Sequence, residues 1–276
     1  MKKVFALCLA ALLLVGCLAG CTATPADQGD DNNGGNAAQV ITVGYTIYEP
    51  MNYEENGELV GFDTELAKTV FEKLGYKVVF KLIDWDQKYT ELNSGAIDCI
   101  WNGFTANTAD DDGVARADKV DFSYNYMGNK QVLVAKADLA AKITDTKSLS
   151  GKVGAVENSS AGDTYLTKTL TGAIKKGVTS QLDAMKELSM GAVDFAVVDE
   201  QLAKAYVGKG DYASLTIAEK VYSDAEYYAI GFKKGSELTA KVNGALEELG
   251  ADGTIAALAT KYGVSNTAIV DFSDQK

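Results

Sequence analysis

The segment YTELNSGAIDCIWNG, residues 89–103, recurs in outline 96 positions later. A gapless alignment with AMKELSMGAVDFAVVD, read from Met185, pairs Glu91, Leu92, Gly95, Ala96 and Asp98 with Glu187, Leu188, Gly191, Ala192 and Asp194. Each copy is a helical pattern that stops at a Gly, where a left-handed cap is easiest, and runs straight into an apolar strand. Either the copies share a local turn, or the chain holds two α/β units built alike. Ligands of open α/β sheets sit beyond the carboxyl ends of strands. Two such units face to face would set Asn102 and Gly103 opposite Asp199 across a cleft.

The rest of the globule fits that frame. VITVGY (40–45), KVVFKLI (77–83) and IDCIW (97–101) read as strands. GFDTELAKTVFEKLG reads as a helix, with Asp63 as N-cap, Leu66, Ala67, Val70, Phe71 and Leu74 on one face and Gly75 as terminator. A short helix ends at Ser94. Alternation of this kind predicts α/β architecture with mainly parallel sheets.

The first residues belong to a different regime. MKK followed by VFALCLAALLLVG is a positive n-region and an apolar run too short for a comfortable membrane span. LAGC then resembles a bacterial lipobox, which implies cleavage after residue 20 and lipid, palmitate included, on Cys21. LVGC, ending at Cys17, is a second candidate, and an ordinary secretory signal a third reading. Residues 21–39 carry no large apolar side chain and are expected to be a disordered tether.

Composition removes several functions. The chain has no His, which excludes His-containing zinc sites and Ser-His or Cys-His catalysis. Loss of Lys2 and Lys3 with the leader would move the net charge from −12 to −14, which argues against nucleic acid. With Cys21 as the anchor, Cys99 is left alone, so no intramolecular disulfide is expected and Cys99 reads as a buried thiol. No cofactor and no metal is expected.

Of 26 Lys plus Arg residues, one is Arg: Arg116, in DDDGVARADKVDFS. One reading is a surface ion pair with Asp110 to Asp112, worth little. The other uses what Lys lacks, a planar fork that grips a carboxylate through two parallel hydrogen bonds.

GFDTELAK, DWDQKYTELNSGAIDCIWNG, RADKVDFSYNY, GKVGAVENSSAGDTYL, GAVDFAVVDE and YYAIGFKKG occur in that order. Together, over about residues 40 to 265, they resemble the extracellular solute-binding proteins of polar amino-acid ABC importers. The resemblance implies a two-lobed, type II periplasmic-binding-protein-like clam. Lobe 1 would be 40–128 plus 226–276 and lobe 2 would be 129–225, with crossings near Tyr126 to Lys130 and Tyr222 to Glu226. It implies that Arg116, six residues before Phe122, holds the ligand's α-carboxylate, although NTADDDGVA is largely an insertion before it. Asp199 would pair with the ligand's ammonium (its other reading is a helix N-cap). Gly103 would offer its carbonyl there, and Thr105 its hydroxyl and N–H. Ser159 and Ser160 would direct backbone N–H groups at the carboxylate, with Ser160 and Asp163 spelling a capping box; Asn158 stands where the family has Gly. Tyr48 and Trp85 match aromatic walls, which could equally be core. Tyr45 replaces a common Asp.

The expected partners follow. They are a free amino acid, an ABC permease with its ATPase, and the membrane only through the anchor, with the chain acting as a monomer. Tyr45 and Asn102 as neutral groups favour a neutral polar or sulfur-containing ligand such as glutamine or cystine, unless Glu49 or Glu157 turns inward to serve a cation. A dehydratase of the cyclohexadienyl type on the same fold would need such a carboxyl as general acid; a ligand sensor is a further alternative.

Overall fold

The computed structural model describes residues 39–275. The leader, Cys17, Cys21 and nearly all of the tether lie outside them. Two five-stranded sheets organise the chain. Across the first, the order is Lys77–Leu82, Val40–Tyr45, Cys99–Ile100, Gly231–Phe232, Asp121–Phe122. Across the second it is Ile174–Val178, Val153–Glu157, Phe195–Asp199, Gln131–Lys136, Leu215–Tyr222. Each sheet is the middle layer of a lobe.

The sheets are mixed rather than mainly parallel. In each, two pairings are parallel and two antiparallel. The cause is the route of the chain. It passes between the sheets twice, through Met127–Asn129 and Glu226–Tyr228, which pair antiparallel as a ribbon. Each ribbon strand feeds a strand of the next sheet that runs against its neighbours. The second pass therefore lies slightly beyond the expected Tyr222 to Glu226.

The repeat is structural. Gly95 and Gly191 both have φ of 77°, a conformation that costs Gly little. Ala96 N–H donates to Glu91 O at 3.0 Å, and Ala192 N–H to Glu187 O at 3.0 Å. The sheet strands that follow are Cys99–Ile100 and Phe195–Asp199.

The helix Phe62–Lys73 buries Phe62, Leu66, Ala67, Val70 and Phe71 against the first sheet. Its N-cap is Gly61, not Asp63. Asp63 sits in the first turn, fully buried, and its Oδ2 accepts from Gly103 N–H at 2.8 Å and Tyr126 O–H at 2.9 Å. The acid thus ties this helix to the loop after Cys99–Ile100. Cys99 is a buried free thiol. Among the described residues no helix is long and apolar enough to cross a membrane.

Candidate functional site

The loops at the carboxyl ends of the sheet strands meet around a small cavity of about 10 Å³. Trp85, Asn102, Gly103, Thr105 and Arg116 line it from the first lobe. Glu157, Ser160, Ala161, Gln181 and Asp199 line it from the second. Seven of the ten residues expected to contact a ligand are there; Tyr45, Tyr48 and Ser159 are not.

Arg116 opens the short turn Arg116–Lys119, and its side chain is 1% exposed. Nε donates to Asp110 Oδ1 at 2.8 Å, Nη1 to Thr105 O at 3.1 Å, and Nη2 to Ser159 O at 3.3 Å. The ion pair with Asp110 exists, but it is buried rather than superficial. A guanidinium has five N–H donors. Three are engaged, which leaves one N–H on each terminal nitrogen. Phe104 lies under the guanidinium, 5.1 Å from ring centroid to Cζ.

The segment before Arg116 folds back on itself. Ala109 and Ala115 bridge, and Arg116 N–H returns to Thr108 O at 3.0 Å. That turn delivers Asp110 to Arg116. Burial alone would raise the Asp110 carboxyl; the Arg116 charge and bonds from Lys119 and Tyr89 outweigh it and hold it at about 2. The same segment also touches the other lobe, where Thr164 Oγ1 donates to Ala109 O at 3.2 Å.

Asp199 ends Phe195–Asp199 and precedes the helix Glu200–Tyr206, yet its carboxylate makes no capping bond. Oδ1 accepts from Asn129 and Gln131, and Oδ2 from Gln181. Burial raises its pKa despite these three bonds. Glu226 shares the network: its Oε2 accepts from Gln131 at 2.8 Å, Thr105 Oγ1 at 3.2 Å and Asn129 at 3.2 Å. Burial, then the Asp199 charge, lift Glu226 to about 7. The acid of the second lobe is thereby wired to both ribbon strands.

Glu157, at the end of Val153–Glu157, is the second buried carboxyl of the wall, beside Asp199. Burial and the nearby Asp199 push it to about 8, against Lys88 and Arg116. It forms no salt bridge among the described residues. Glu49, the other acid considered, bonds Tyr206 instead and is not in the wall.

Several expectations need correction. The N–H of Ser159 donates to Asp163 Oδ2 at 3.1 Å, and that of Ser160 to Glu157 O at 3.3 Å, so neither points freely into the cavity. Ser159 has φ of +58°, in the left-handed region, and offers its carbonyl to the first lobe. Ser160 does cap the helix Ala161–Thr169 through Asp163 N–H. Tyr48 stands behind Gly103, its hydroxyl 2.7 Å from that of Tyr228. Gly103 has φ of +56°, and a Cβ there would lie 2.6 Å from the Tyr48 ring. Tyr45 packs edge-on against Phe80, outside the lining. Asn102 lines the cavity, but its amide N–H groups already serve Thr46 O and Asn52 Oδ1 at 2.9 and 2.7 Å.

Three participants carried no signal in the sequence. Gln131 and Gln181 are uncharged and belong to no short motif. Lys88 is one Lys among many. It is 1% exposed.

Residues 41–265 match the family of bacterial extracellular solute-binding proteins, family 3. The chain belongs to that family. The solute-binding relatives include the L-cystine-binding protein TcyA of Bacillus subtilis, 31% identical over 95% of this chain and 97% of that one. The arginine-binding extracellular protein ArtP of the same organism is 29% identical over 78% of this chain and 82% of its own. Among solved structures, an ancestral arginine-binding protein bound to arginine superposes with a TM-score of 0.73, at 35% identity over 81% of this chain and 97% of that one. A Streptococcus pneumoniae ABC-transporter binding protein with bound histidine does so at 0.74, with 31% identity over 83% and 94%. The two-lobed solute-binding architecture is thus shared over about four-fifths of the chain. Among the described residues no group of three or more His, Cys, Asp and Glu could hold a metal ion.

Proposed function

We propose that this solute-binding protein captures a free amino acid between its lobes and delivers it to an ABC-type permease, and that the ligand carries a cationic group beyond its α-ammonium. The carrying observation is the charge inventory of the cavity wall: one guanidinium, Arg116, facing two carboxyls, Asp199 and Glu157. An α-carboxylate takes the two spare N–H groups of Arg116. An α-ammonium takes Asp199, which already accepts three hydrogen bonds and tolerates charge best. Glu157 remains, and a buried carboxyl of raised pKa ionises readily only beside a cation. Arginine, lysine, protonated histidine and the second ammonium of cystine all answer that description. The expectation of a neutral side chain such as glutamine depends on Tyr45 facing the ligand, and Tyr45 packs on Phe80.

A cavity of about 10 Å³ holds roughly one water. Entry therefore requires the lobes to part, with the ribbon Met127–Asn129 and Glu226–Tyr228 as the natural hinge. Lobe 1 is then 40–128 plus 226–276 and lobe 2 is 129–225. Export with lipid on Cys21 would tether the globule, acting as a monomer, beside its permease.

A thermal-shift screen tests the reading. L-arginine, L-lysine, L-histidine and L-cystine are expected to raise Tm, and L-glutamine and L-methionine to leave it unchanged. Saturation at about 100 times Kd is worth about 2.7 kcal/mol, a shift of a few degrees at this size. Glutamine alone shifting Tm would refute the second-cation requirement. Chemical conversion of the bound ligand would instead make Glu157 a general acid and support the dehydratase alternative.

A further inference from the structure

Lys88 begins the helix Lys88–Ser94 in the first lobe, and its ammonium points into the seam between the lobes. Nζ donates to Trp85 O at 3.2 Å in its own lobe and to Ser159 O at 3.1 Å in the other. It lies over the rings of Trp85 and Tyr89, at 4.9 and 4.8 Å from their centroids. Among the described residues it has no salt-bridge partner. The same Ser159 carbonyl receives Arg116 Nη2, so it keeps a charged donor even without Lys88.

We propose that Lys88 is a positioning residue that limits lobe closure: its ammonium loses water each time Ser159 arrives, and this sets how fast the ligand leaves. The inference rests on the solute-binding reading above. A buried charge is retained at low cost only when a counter-charge faces it. Lys88 has two carbonyls instead. Replacing it by an apolar side chain of similar length leaves Ser159 O bonded to Arg116, and Arg116 still faces Asp110 and Glu157. Closure should then become easier rather than harder. Burial lowers the Lys88 pKa to about 7. Arg116 and Lys119 act in the same direction, while Asp110 and Glu157 oppose it. Asp86, Asp111 and Asp112 border the same cleft. The separated lobes would return Lys88 to its ordinary range, so closing near neutral pH expels a proton from it, and rising pH favours the closed form.

The test is stopped-flow release of L-arginine from the full chain, followed by intrinsic fluorescence at pH 6 and pH 9. Wild type, Lys88→Met and Lys88→Arg are compared. At pH 6, Lys88→Met is expected to release L-arginine at least fivefold more slowly than wild type. Lys88→Arg, which cannot lose its charge in this range, should release as fast as wild type at pH 6. It should also lack the part of the slowing at pH 9 that wild type shows and Lys88→Met does not. Release from Lys88→Met as fast as wild type, or faster, overturns the proposal. If L-arginine does not bind wild type, the ligand reading has failed on its own account. Closure is then read in the ligand-free chain by small-angle X-ray scattering at pH 6. A smaller radius of gyration in Lys88→Met than in wild type supports the proposal, and an equal or larger one refutes it.

Discussion

Asp98 and Asp194 make the same bond in the two lobes. Asp98 Oδ2 accepts from Thr42 N–H at 2.7 Å, and Asp194 Oδ2 accepts from Val153 N–H at 2.7 Å. Each carboxylate closes the strand after its helix onto the start of the neighbouring parallel strand. Removing either acceptor leaves a half-buried N–H unpaired, at a cost of about 1–3 kcal/mol. Asp98→Ala and Asp194→Ala are therefore expected to destabilise the protein by similar amounts in urea unfolding. A clear loss at one position and none at the other would mean the two copies are alike only in shape.

Arg116→Lys should damage both binding and folding. A Lys can place one ammonium near Asp110 or near a ligand carboxylate, but it cannot span Asp110, Thr105 O and Ser159 O and still offer a fork. Affinity for L-arginine should fall more than tenfold in calorimetry, the equivalent of at least about 1.4 kcal/mol. Folding stability should drop by about 2 kcal/mol, since charge-assisted bonds are worth about 1.5–3 kcal/mol each. Asp199→Asn should lose binding similarly. An unchanged affinity in Arg116→Lys would confine Arg116 to its pair with Asp110.

The repeat and the lone Arg were legible because each is a departure from a background: identical spacing in one case, a single residue type in the other. The ordered motifs carried the two-lobed fold. Sheet direction was not legible, because antiparallel and parallel strands of two to eight residues share the same apolar pattern. It depends on where the chain crosses between the sheets. Nor was the side to which a wall residue turns. Tyr45 and Glu157 both end strands, and one packs away on Phe80 while the other faces the cavity. Asp63 looked like a cap because Asp before an apolar helix usually is one. Gly61 takes that place and frees Asp63 for Gly103.

Cys21→Ala should move the protein from the membrane to the soluble fraction, with no lipid mass on the N-terminal peptide. Affinity for L-arginine should stay at the wild-type value, because every proposed contact lies between Trp85 and Asp199. Lipid found on Cys17 would only lengthen the tether, whereas membrane retention without lipid on either Cys would remove the anchor.

The buried acids predict an unusual response to pH. Burial lifts Glu157 to about 8 and both Asp63 and Glu226 to about 7, and it raises Asp199 as well. For each, the folded state holds its proton more tightly than the unfolded chain. Their contribution is intact below the unfolded carboxylate range; that of Glu157, Asp63 and Glu226 is lost as pH rises toward 7 to 8, and Asp199 adds in the same direction. Asp110 has the opposite sign, but it matters only below about pH 4. Lys88, lowered to about 7, regains stability only above that pH. Ligand-free Tm should therefore fall between pH 5 and pH 7, and fall less in Glu157→Gln. Ligand binding should run the other way. A cationic side chain needs ionised Glu157, so affinity for L-arginine should rise about tenfold or more from pH 6 to pH 8. Glu157→Gln should flatten that rise and cost L-arginine at least tenfold at pH 8, while any weak binding of L-glutamine is retained. Calorimetry at the two pH values decides the matter: equal L-arginine affinity in wild type and Glu157→Gln at pH 8 would place the ligand's second cation elsewhere.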